Sequence, residues 1–194
     1  SLMVICASAL AQTAKIHCGP FTYTAPVSEL SRITTSTDGT MVNFDTHELL
    51  TTEIDSVTFD YQTYDTKTIA VDYNATCAHI TMPLALRQKF THNVQGAHVE
   101  LYVDSLYQEE LTYHLSGTSE NGSFTMDGEF KSTIILDNVS LSCNIGEAFN
   151  IENGKRINIQ LSEGSVNHFS DAAGGTHKAC FFVNGHAEFS GNGT

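Results

Sequence analysis

The sequence has no tryptophan, and its 9 lysines and arginines face 22 aspartates and glutamates, for a formal net charge of −13. A chain this acidic repels nucleic acid and anionic bilayers unless a basic patch offsets it, and no basic cluster occurs, so neither is an expected partner. The missing indole removes the strongest flat platform for a sugar ring. Tyr61, Tyr64, Tyr102 and Tyr107 are the rings left to serve, although tyrosines in alternating strands more commonly pack half-buried. Beyond the N-terminus no stretch approaches the roughly 18 apolar residues that span a bilayer, which argues against membrane insertion. The nine histidines include no His-x-His or His-x3-His pair, so zinc has no ready site. His168, His177 and His186 converge only if their segments stack as neighbouring strands, about 4.8 Å apart. There is no Gly-x-Ser-x-Gly elbow for a serine hydrolase. Gly174 and Gly175 lie in a segment, 172–176, that lacks the Lys-Ser/Thr and the helix of a phosphate loop, and it reads as a loop thrown out from the fold.

What is present is alternation. With 194 residues, 41% of them hydrophobic, the chain has the apolar mass for a real core. Runs such as Val57–Tyr61, Thr68–Tyr73 and Val99–Val103 alternate apolar and polar residues, the period of strands with one wet face. Asp38-Gly39 and Gln95-Gly96 supply the positive-φ residues that hairpins need. A brief helix or extended loop is expected over 84–90. The opening residues 2–12 read as the apolar core of a signal peptide with a small-x-small cleavage site at Ala9-Leu10-Ala11, although the preceding basic segment is missing. This places the mature protein outside the cytoplasm, secreted or at the cell surface. Four widely spaced cysteines, Cys18, Cys77, Cys143 and Cys180, would remain. Export permits a bridge or two, but Cys143 and Cys180 sit in strand-like contexts and read as thiols.

The last seventy residues pair glycine turns with short strands and no intervening helix, the pattern of stacked coils. Aligned on Gly128, Gly154 and Gly185, the offsets are 26 (154 − 128) and 31 (185 − 154), close to the roughly 20–30 residues per unit of β repeat architectures. Asparagines recur at turn-like positions, Asn138, Asn153, Asn167, Asn184 and Asn192, and predict a ladder of turn residues. These features predict an all-β protein. A small antiparallel module (12–105) follows the signal remnant (1–11) and precedes the first coils of an incomplete right-handed parallel β-helix (106–194). The sequence stops where another strand is due, so the natural protein is expected to continue, and an open coil end predicts self-association.

The succession Tyr113-His-Leu-Ser-Gly-Thr-Ser-Glu-Asn-Gly122, Ile135-Leu-Asp-Asn-Val-Ser-Leu141, Ile151-Glu-Asn-Gly-Lys-Arg-Ile157, 161–171 and 178–193 resembles the exported bacterial carbohydrate-binding domain-containing β-helix proteins, Bacteroides-type members among them. These look like truncated relatives of the pectate-lyase fold. The resemblance implies a parallel β-helix that binds calcium and attaches to cellulose- or pectin-type polysaccharides without cutting them. The Asp-Asp-Gly-Ile-like repeats that would supply its calcium ligands are not in this chain.

The leading reading is therefore an exported, non-catalytic polysaccharide-binding protein, calcium-assisted by resemblance only. Glu163, Asp171 and His177, around the 172–176 loop, are the candidate ligand contacts, with no catalytic residue assigned and no metal ligand identified. The alternatives are a β-helix polysaccharide lyase, with Arg156 or Lys155 as the base that takes the proton α to a sugar carboxylate, and a surface solenoid that binds no sugar.

Overall fold

The computed structural model describes residues 13–30, 32–172, 175 and 177–194. The signal-like segment, Cys6, and Ala173, Gly174 and Thr176 of the glycine-rich loop lie outside the described residues. The fold is all-β: among the described residues helical geometry is confined to short 3-10 turns at Val27–Glu29, Thr51–Glu53 and Leu84–Lys89, and none of these is long or apolar enough to cross a membrane. The chain divides into two compact units, one running up to Thr66 and including Thr81–Arg87, the other comprising Lys67–Ile80 and Gln88–Thr194.

The first unit is antiparallel. Strands β1 (Thr13–Cys18) and β2 (Phe21–Pro26) pair from Thr13↔Pro26 to Cys18↔Phe21, and β1 also pairs β6 (Ser56–Asp60). Period two is visible along β1: Ala14 and Ile16 are fully buried, while Lys15 between them holds Asp60 at 2.6 Å. Between these strands, β3 (Ile33–Thr35), β4 (Met41–Phe44) and β5 (His47–Leu50) form a meander that buries Phe44 and Leu49. The β3–β4 connection is the turn expected from Asp38-Gly39, with Gly39 at φ +73°. The Asp38 carboxylate accepts bonds from the Ser36 hydroxyl (2.5 Å), the Thr40 amide (3.1 Å) and the Thr40 hydroxyl (2.9 Å). These donors, the Ser36 hydroxyl first, hold its pKa down at about 2.

The second unit begins with β7 (Thr68–Ala75), the start of β8 (Cys77–Pro83, whose residues from Thr81 on belong to the first unit) and β9 (Phe90–Gln95), and β9 turns at Gly96 into β10 (Ala97–Val103) as an antiparallel hairpin. From there the chain alternates between two sheets, except that β15 and β16 follow one another in the same sheet: β11 (Leu111–Ser119), β12 (Gly122–Gly128), β13 (Ser132–Cys143), β14 (Phe149–Asn153), β15 (Ile157–Leu161), β16 (His168–Asp171), β17 (Phe181–Asn184) and β18 (Ala187–Gly191). One sheet contains β7, β11, β13, β15 and β18 in order, with β16 also on β13; the other contains β10, β12, β14 and β17. Every one of these pairings is parallel. Parallel neighbours need a crossover connection, and here the crossover is the strand donated to the opposite sheet.

Register follows from columns of apolar side chains. Val99, Phe124, Phe149 and Phe181 are in register on one sheet, and Tyr113, Ile134 and Ile159 on the other. Phe149 and Phe181 stack at 4.1 Å and 9° between ring planes, and Tyr113 meets Phe124 edge-on at 5.9 Å. Burial of each phenyl contributes roughly 2 kcal/mol, and a one-residue slip would turn the whole column outward.

The glycine alignment is corrected by one position. Gly128 is in register with Asn153, not Gly154. Asn153 is fully buried; its Nδ2 donates to the Phe130 carbonyl at 2.7 Å and its Oδ1 accepts the Lys155 amide at 2.9 Å. A buried amide thus shapes the turn where a glycine was expected. Asn138 and Asn167 bind the backbone of a neighbouring segment, Asn138 Oδ1 accepting from the Val166 amide and Asn167 Oδ1 from the Val139 amide, both at 3.1 Å, while Asn184 donates to the Glu152 side chain. The four described cysteines are thiols, Cys143 buried and Cys180 half-buried with its Sγ donating to the Phe169 carbonyl.

Candidate functional site

The three candidate contacts stand on different segments. Glu163 is exposed in the turn after β15, and Asp171 is exposed at the end of β16, in register with Cys143. His177 lies ahead of β17, packed against the other sheet.

That sheet carries the most organised outward surface of the second unit. Alternate residues of its strands face away from the core, and the register sets them in two rows. Glu100, Thr125, Asn150 and Phe182 form one; Tyr102, Asp127, Glu152 and Asn184 form the other. Neighbours within a row are about 4.8 Å apart. At one end Glu100 Oε2 accepts bonds from the Tyr102 hydroxyl (3.2 Å) and from Asn93 Nδ2 on β9 (3.1 Å). Burial, then the Glu100 charge, raises the pKa of the Tyr102 phenol.

At the other end the His177 ring lies parallel on Phe182, 3.7 Å between centroids and 12° between planes. Its Nδ1 is 3.2 Å from Glu147 Oε1 and its Nε2 is 3.6 Å from Glu152 Oε1, while its backbone amide also donates to Glu147. Asn184 Nδ2 donates to the second oxygen of Glu152 at 3.2 Å. The result is a strip with Tyr102 at one end and the Phe182–His177 pair three strands away, about 14 Å, with carboxylates and amides between them. Aromatic faces flanked by such groups are the usual apparatus for holding a hydroxylated ring.

Sequence reasoning named His177 and Tyr102 but missed Glu100, Asp127, Glu147, Glu152, Phe182 and Asn184. Their signal is the outward phase of the strands: Asn150-x-Glu152 and Phe182-x-Asn184 alternate with the buried column. It becomes readable only once the register across 25 and 32 residues is known (149 − 124 and 181 − 149).

The outward face of the other sheet is different. It presents Thr112, Thr133 and Asn158 in one row, with His114 Nε2 3.3 Å from Asp137 and Ser116 donating to Asp72. Arg156, the candidate lyase base, is exposed in the turn between β14 and β15, 3.5 Å from Glu188, which also receives His186. Lys155 is exposed beside it.

The donor set does not fit a calcium ion. Among the described residues no group of three or more His, Cys, Asp or Glu side chains is placed to hold a metal ion, and the nearest carboxylates of the strip, Glu147 and Glu152, face His177 and Asn184. His168, His177 and His186 do not converge either: His168 is on β16, and the other two pair with different glutamates.

Residues 106–194 match the family described as carbohydrate-binding domain-containing protein, a little under half of the chain. No curated protein matches the sequence. A solved structure of the polysaccharide lyase-like protein from C. thermocellum, a gadolinium derivative, is similar at a TM-score of 0.52 and 18% identity, over 65% of this chain and 50% of that one. The present chain thus spans half the length of that protein, and at this identity the likeness is one of fold.

Proposed function

We propose that this chain is an exported, non-catalytic polysaccharide-binding protein of secreted or cell-surface location, built as a right-handed parallel β-helix. The strip from Tyr102 to Phe182 is its sugar-contacting surface. The observation that carries the reading is that strip: two aromatic positions about 14 Å apart, joined by carboxylates and amides, on strands that include β12, β14 and β17 within the matched span 106–194. The helical winding is supported by the alternation of strands between two parallel sheets, and its hand by the strong preference of parallel crossovers for right-handed connections. Cellulose- and pectin-type glycans are the substrates suggested by the resemblance. No step of the binding is routed through calcium, because the strip holds no fitting donor set.

In affinity electrophoresis through gels holding soluble cellulose-type or pectin-type polysaccharide, the chain is expected to be retarded, and Tyr102→Ala and Phe182→Ala each to weaken that at least tenfold. Unchanged retardation in both variants would remove the strip from the proposal. Glu163→Ala and Asp171→Ala test whether the ligand reaches beyond it. A lyase is the second reading, favoured by the fold likeness to a lyase-like protein; unsaturated products from polygalacturonate, lost in Arg156→Ala, would establish it in place of the first. Self-association through a coil end is read by light scattering, where a monodisperse monomer rules it out.

A further inference from the structure

We infer that the strip selects glycans without carboxylates, disfavouring polyuronates even though both types fall within the proposed function on which this inference rests. Glu100, Asp127 and Glu152 lie on adjacent strands of the face, and Glu147 borders it. Beside them stand His177, already set between Glu147 and Glu152, and Lys178, exposed next to it in sequence. Arg156 and Lys155 are in the turn at the end of β14, and Arg156 faces Glu188.

A neutral pyranose meets this surface well: its C–H face lies on Tyr102 or on the Phe182–His177 pair, and its hydroxyls donate to the carboxylates as charge-assisted hydrogen bonds. A uronate brings a carboxylate into a row of carboxylates, with, among the described residues, no arginine fork on the strip to receive it and no donor set to bridge it through a divalent ion. The chain's net charge of −13 adds a repulsion that grows as salt falls, since the screening length lengthens from about 10 Å at 0.1 M to about 30 Å at 0.01 M.

The test is affinity electrophoresis of the chain at low ionic strength without added divalent cations. Mixed-linkage β-glucan serves as the neutral probe and polygalacturonate as the anionic one. The expected result is at least tenfold stronger retention by the glucan. The combined Glu100→Gln, Asp127→Asn and Glu152→Gln variant, and separately the exposed single change Asp127→Lys, are both expected to gain polygalacturonate retention. Equal or stronger retention of the wild-type chain by polygalacturonate overturns the selectivity while leaving glycan binding intact. Variants that keep the wild-type ratio overturn its electrostatic basis. Retention by neither polymer overturns this inference and the strip's role together.

Discussion

In the first unit the hairpins join residues close in sequence: Cys18 pairs Phe21, Thr35 pairs Val42 and Phe44 pairs His47. In the parallel ladders of the second, partners stand 21 to 44 residues apart, from Leu111↔Ser132 to Thr68↔Thr112. Short hairpins take their register from the turn. Parallel ladders have no such local guide, and their register is held by what is buried across many residues. The difference also sorts the surfaces: the parallel arrangement brings Glu100, Thr125, Asn150 and Phe182 side by side from four distant parts of the sequence.

The comparison breaks first at the aromatic column. Phe149→Ala removes a fully buried ring that touches Phe124, Phe169 and Phe181, and should cost about 3–5 kcal/mol in denaturant unfolding. A loss under about 1 kcal/mol would mean that the column does not hold the ladders in place. A matched pair of glycines sharpens the contrast. Gly117, at φ +86°, lies on the β11 bulge where a Cβ would come within 2.1 Å of the Tyr73 carbonyl oxygen on the adjacent strand. Gly39, at φ +73°, faces open space. Gly117→Ala is expected to cost about 2–4 kcal/mol and Gly39→Ala about 1 kcal/mol; equal costs in thermal melts would show the ladders to be as yielding as a hairpin turn.

The smallest effect lies at Asp38. Its folded pKa is depressed to about 2 from 3.8, so its contribution is fully present above the ordinary carboxylate value and disappears as pH falls through about 2. Carboxyl NMR titration should find the low midpoint, and Ser36→Ala should raise it. A midpoint near 3.8 in the wild-type chain would remove Asp38 as the fastening of the β3–β4 turn.

The hairpin turns were legible because their chemistry is local: Asp38-Gly39 and Gln95-Gly96 announce positive φ by residue type. The parallel pairing of strands after Leu111 was legible as repetition, but its register was not. Asn153 does with two side-chain hydrogen bonds what Gly154 was expected to do with a bare backbone, and glycine counting has no means of detecting that. The strip was legible only in fragments. Tyr102 and His177 stand out by type, whereas Glu147 and Glu152 look like two more carboxylates in an acidic chain until folding places His177 between them.

One further property follows from the unequal spacing along a single ladder. Between β11 and β18 the successive offsets are 21, 25 and 30 residues (132 − 111, 157 − 132, 187 − 157), yet each strand meets its neighbour side by side. The connections absorb the surplus length, so a bend whose residues are exposed and make no bond to a neighbouring strand is a place where sequence can be added or exchanged. For protein engineering this makes the exposed turn at Glu163-Gly164 a natural insertion point, since a Cβ at Gly164 would meet nothing within 4 Å.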